Sequence, residues 1–181
     1  GSFLGLMKIK LNADFFSDPK AITPTYALAF RIVDASTDSI GNNEVIVTFK
    51  YLSNAIGTYT HRGRAISSED TLTYVNNDTE LITSEPVGTN SVISNKLDIG
   101  ALGLVLNLTM DNENKVSFTS GTGSDITITA VNPGLFDREN DHNIYLNYTF
   151  DDAGKTYQAQ DTLVFVKRAI DNVMQWDTQY F

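Results

Sequence analysis

Cysteine is absent from the 181 residues. That excludes a disulfide framework, a thiol nucleophile and a thiolate-held metal. Basic residues are scarce, 13 Lys and Arg against 22 Asp and Glu, and no basic run occurs. A formal charge of −9 repels a phosphate backbone, so nucleic acid is not expected as a partner. No apolar run reaches the length of a membrane-spanning helix. No helical period persists over a dozen residues, apart from a turn or two near Ile170–Trp176. Catalytic signatures are also missing. The two histidines, His61 and His142, lie far apart and in no metal-binding spacing. There is no G-x-S-x-G elbow and no phosphate-binding loop. The chain is expected not to be an enzyme, and no cofactor is implied.

What is present is β-structure. Hydrophobic residues make up 41%, enough for a packed core. From Asn143 to Arg168, apolar and polar residues alternate on both sides of the turn Asp151-Asp152-Ala153-Gly154. That pattern specifies two antiparallel strands with one buried face. Similar strands are expected at 7–11, 26–33 and 45–51, and from Gly57 onward near 57–66, 71–75, 80–85, 91–97, 102–110, 115–119, 125–131, 143–150 and 156–167. Such a meander must bury or close its edges, and an up-and-down barrel does so. The first three strands make a weak domain alone. The expected fold class is all-β: a partial β-sandwich over residues 1–55, then an antiparallel lipocalin-like β-barrel over 56–181. An exposed sandwich remnant would have to be covered, by this chain or by self-association.

Candidate sites are few. Asp137, Glu139 and Asp141 alternate in a loop, as oxygen ligands of calcium can. The central glycine and distal glutamate of an EF-hand are missing, so a solvated acidic loop is the better reading and no metal is expected. Aromatic side chains stack on the C–H faces of sugars and are worth tracing. Most fall in register with apolar neighbours and belong to the interior. Tyr26, Phe30, Phe49, Tyr148, Phe150, Tyr157 and Phe165 are assigned there. Tyr59, in an expected loop, and Trp176 are candidates for exposed rings, with His61 and Arg62 as hydrogen-bond donors. Trp176 could instead be a plug that packs the tail onto the barrel, the reading slightly favoured.

Four stretches carry a family resemblance. LMKIKLNADFFSDPKAITPTYALAFRIVDASTDSI at Leu6–Ile40 resembles the end of the N-terminal β-sandwich module of Bacteroides-type surface lipoproteins. VIVTFKYLSNAIGTYTHRGRA at Val45–Ala65 is similar to the junction with the next module. NIYLNYTFDDAGKTYQAQDTLVFVKR and the closing NVMQW are similar to the C-terminal lipocalin-like module. The resemblance implies a non-catalytic cell-surface accessory protein of a polysaccharide-uptake system with a glycan-binding role. It also implies outer-membrane uptake proteins as partners, and export with an N-terminal lipid anchor that these residues do not include. Read from the residues, the expected binding site is a shallow patch at loops carrying Tyr59, His61, Arg62 and Trp176. The alternative is a structural or adhesin-like spacer with no sugar affinity. A small hydrophobic ligand inside the barrel is a further option. An interior filled by Leu104, Leu106, Phe150 and Phe165 would argue against it.

Overall fold

The computed structural model describes residues 8–33, 44–83, 89–93 and 96–168. The chain is all-β, and its main sheet is antiparallel and curled into a barrel-like form. Of the strand expected at 7–11, residues 8–11 are described and are not in a strand. Instead Asn12 accepts from the Phe15 backbone N–H and caps a short helix, α1 (Ala13–Ser17). Asp18 then caps a 3-10 turn over Pro19–Ile22. Each cap satisfies a free helical N–H at the start of its turn, C-terminal to the expected strand.

Among the described residues β1 (Tyr26–Arg31) and β2 (Glu44–Phe49) pair only with each other. Their register sets Leu28 opposite Val47 and Phe30 opposite Val45. Tyr26, Phe30 and Phe49, assigned to the interior above, are only half-buried here. Among the described residues no second sheet covers this pair, and Tyr26 at its end meets α1 through Phe15. Ile46 is accordingly 71% exposed and Val33, just past β1, 88%.

The nine-stranded sheet begins at β3 (Gly57–Ile66), the range expected from the sequence. β4 (Thr71–Thr83) is a single strand where two were expected. The polar run Asn76-Asn77-Asp78 is a bulge, not a turn: Tyr59 faces Thr79, but His61, two residues on, faces Asn76. The extra residue bends the strand and increases its twist without ending its pairing. β5 (Thr89–Ile93) follows, then the two-stranded pair β6 (Leu97–Ile99) and β7 (Leu102–Leu104). β7 and β8 (Leu106–Met110) occupy the expected 102–110 strand. They part at Val105, whose C=O accepts from Gly121 and whose N–H donates to Ser124 Oγ. β9 (Lys115–Ser120), β10 (Ile128–Ala130) and β11 (Gly134–Phe136) lead to the closing hairpin of β12 (Ile144–Asp152) and β13 (Lys155–Lys167). Ala153 and Gly154 both take positive φ, the geometry of a tight hairpin turn.

Hydrogen bonding runs β12–β11–β9–β8–β5–β4–β3–β13 and returns, because β13 also pairs with β12. Along the ring inward residues alternate with outward ones. The interior holds Leu104, Leu106, Leu108, Phe118, Phe136, Leu146, Tyr148, Phe150, Tyr157 and Leu163, all buried, with Phe165 packed against them. Phe150 and Tyr157 stack at a 5.0 Å centroid distance. Among the described residues the interior is occupied by these large side chains.

Candidate functional site

Strand parity decides where the expected site residues lie. On β3 the side chains of Tyr59, His61 and Ala65 point inward, with Gly57 and Gly63 in the same register; Thr58, Thr60, Arg62 and Arg64 lie on the other face. Tyr59 and His61 have no exposed surface. They cannot form a shallow sugar patch with Arg62, and that expectation is corrected. Tyr59 is a strand residue, not a loop residue. Its hydroxyl donates to the Ala55 carbonyl at 2.7 Å, and its ring meets Phe165 edge-on. Burial pushes its phenol far above the ordinary value, the Arg168 guanidinium opposing weakly. Trp176 lies outside the described residues. Asp137 Oδ1 is taken by the backbone N–H and side-chain amide of Asn140. Among the described residues no group of three or more His, Asp or Glu side chains, Asp137, Glu139 and Asp141 included, is placed to hold a metal ion.

His61 instead belongs to a polar cluster inside the barrel. Its Nε2 lies 2.7 Å from Asp161 Oδ2, and both side chains are wholly buried. Beside a carboxylate Nε2 is the donor. The Tyr148 hydroxyl donates to the same oxygen at 2.8 Å, and the Tyr74 hydroxyl to Oδ1 at 2.6 Å. One acid thus accepts from three strands, β3, β4 and β12, while standing on the fourth, β13. Burial first, and the Asp161 charge second, hold the Tyr74 and Tyr148 phenols well above their ordinary range. A neutral phenol donates, so the shift matches the role. His61 Nδ1 and Thr79 Oγ1, both beside the β3–β4 bulge, have no hydrogen-bond partner among the described residues. A His–Asp pair is half of a proton-transfer arrangement, but that chemistry needs a substrate within hydrogen-bond reach. Sealed from solvent, the cluster joins strands. Asp161 was the residue that sequence reading missed: an acid at an inward position of an otherwise apolar face, between Ala159 and Leu163.

The opposite face of the same strands is the accessible surface. Cross-strand register sets Tyr145, Thr162, Arg62 and Val75 in one row, and Asn147, Gln160, Arg64 and Thr73 in the next. Tyr145 is 37% exposed, and Asn143 donates weakly to its hydroxyl at 3.4 Å. Gln160, Arg62, Arg64 and Thr73 are exposed. The arrangement combines one aromatic ring with amides, hydroxyls and two guanidiniums on a single face. Of the expected residues only Arg62 belongs to it. Parity along β12 and β13 was the available signal for Tyr145, Asn147 and Gln160.

Comparison with models of known families, with curated proteins and with solved structures returns no match to this chain.

Proposed function

We propose that this chain is a non-catalytic, exported cell-surface accessory module that binds glycan for a polysaccharide-uptake system. The observation that carries the reading is the outer face of β12, β13, β3 and β4. Tyr145 offers an apolar ring to a sugar C–H face, and Asn147, Gln160, Thr162 and Arg62 surround it with groups that can pair with hydroxyls. The sequence resemblance supplies the setting: surface attachment through a lipid anchor and outer-membrane uptake proteins as partners. A glycan array probed with the full chain and with Tyr145→Ala tests it. Binding by the first and at least tenfold weaker binding by the second supports the reading. No bound glycan on a broad array overturns it.

A second reading is a spacer or partner-binding module without sugar affinity. The exposed apolar side chains of the β1–β2 hairpin, Leu28, Val45 and Ile46 among them, favour it. Self-association through that hairpin is the contact it expects.

A further inference from the structure

We infer that the outer face of β3 reads the acid groups of a carboxylate-bearing polysaccharide through Arg62 and Arg64, an inference that rests on the glycan-binding reading above. The chain carries a net charge of −9, so its surface in general repels anions. This face departs from that rule. Arg62 and Arg64 lie on the same side of one strand, about 7 Å apart along it at the usual strand rise. Among the described residues neither makes an ion pair. Elsewhere in the molecule Lys96 pairs with Asp125, Lys115 with Glu113 and Lys155 with Glu69.

Their cross-strand neighbours are uncharged. Arg62 lies between Thr162 and Val75, and Arg64 between Gln160 and Thr73. Both guanidinium forks therefore remain available, and a planar fork matches a carboxylate in bidentate fashion. The strand beneath them is held rigidly. β3 is bonded on both edges, and Gly63, between the two arginines, is pinned from inside by Tyr74 and Asp161. The backbone is thus already ordered, and binding has to order only the two exposed side chains.

Tyr145 sets the saccharide class. It stands in the Arg62 row two strands away, about 10 Å at the usual strand spacing. A chain lying across the strands can stack one ring on Tyr145 while presenting an acid group to Arg62. The amides of Asn147 and Gln160 lie beside that path and suit hydroxyls. A nucleic acid is disfavoured, because the rest of the surface opposes its continuous phosphate charge.

The test is titration of the full chain and of the Arg62→Gln/Arg64→Gln double variant with polygalacturonate and alginate. Fully methyl-esterified polygalacturonate, neutral galactan and duplex DNA serve as comparisons. The expected result is binding to an acidic saccharide that falls at least tenfold on esterification and at least tenfold in the double variant, with an unchanged melting temperature and no comparable binding of DNA. Binding to the neutral polymers that ignores both changes overturns the acidic preference and leaves the glycan reading standing. Equal binding of DNA overturns it in favour of a generic anion patch. Binding of no saccharide in this panel overturns the acidic preference, and the broad glycan array separately decides the glycan reading.

Discussion

Tyr74 reaches Asp161 directly over Gly63. The three share one inward cross-strand row, on β4, β13 and β3 respectively, and the hydroxyl-to-carboxylate distance is 2.6 Å. A Cβ on Gly63 would stand 2.0 Å from the Tyr74 ring and 2.2 Å from Asp161 Oδ1. Glycine is required here for the space it leaves. Gly63→Ala should cost about 3 kcal/mol through overpacking and a displaced buried hydrogen bond. In a chain of this length that corresponds to a melting temperature lower by roughly 6–12 °C. Calorimetry checks it, and a shift of under two degrees would refute the close contact.

Asp161 is the hub. Asp161→Ala leaves His61, Tyr74 and Tyr148 buried without their acceptor, and breaking such a cluster costs about 3–5 kcal/mol. Urea unfolding measures this. A loss below 1 kcal/mol would mean that the three donors find other partners.

The phenols give a pH signature. Burial raises the pKa of Tyr59, Tyr74 and Tyr148 in the folded state. Above the unfolded phenol value of about 10 the unfolded chain releases protons that the folded chain keeps. Their contribution is thus fully present below about pH 10 and is lost as pH rises toward the folded values. Ultraviolet titration should show these three of the eight tyrosines silent until the protein unfolds. Ionisation of all eight near pH 10 with native circular dichroism intact would contradict the buried cluster.

The outer face should behave oppositely. Arg62 and Arg64 are exposed and make no ion pair among the described residues, so exchanging either for Gln should change stability by less than about 0.5 kcal/mol. Chemical denaturation of each single variant tests whether the face is free of structural duty.

Ile46 is solvent-exposed on a hairpin whose outer edges are unpaired among the described residues. If that hairpin mediates self-association, Ile46→Lys should shift the mass seen by light scattering at high concentration toward the monomer. A wild-type chain that stays monomeric throughout the same range would remove the hairpin as a contact between copies.

Much of the strand architecture was legible in the residues, because alternation is a local property. A buried face must repeat every second residue, so strands near 57–66, 143–150 and 156–167 announced themselves, as did a turn at Asp151–Gly154; the structure extends the middle strand to Asp152 and starts the last at Lys155. Parity alone also separates Tyr59 and His61 from Arg62 once β3 is read as one continuous strand. Reading Tyr59 as a loop residue concealed that. The bulge in β4 was not legible, since a polar run inside a strand has the composition of a turn. The stretch Ala13–Pro24 breaks the strand period and reads as a loop with one helical turn; the helix Ala13–Ser17 lies in it, started by one capping bond from Asn12.

The sequence by itself determined the class, an acidic all-β chain without cysteine, and the faces of its strongest strands. Only the tertiary structure decided which residues meet. His61 and Asp161 are 100 positions apart, and Tyr74 and Asp161 are 87 apart. No local pattern encodes such pairs. They form because β13 bonds to β3 on one edge and β12 on the other, bringing distant strands to adjacent positions. The same closure gathers Tyr145, Gln160, Arg62 and Arg64 onto one outer surface, since each inward row has an outward row on either side.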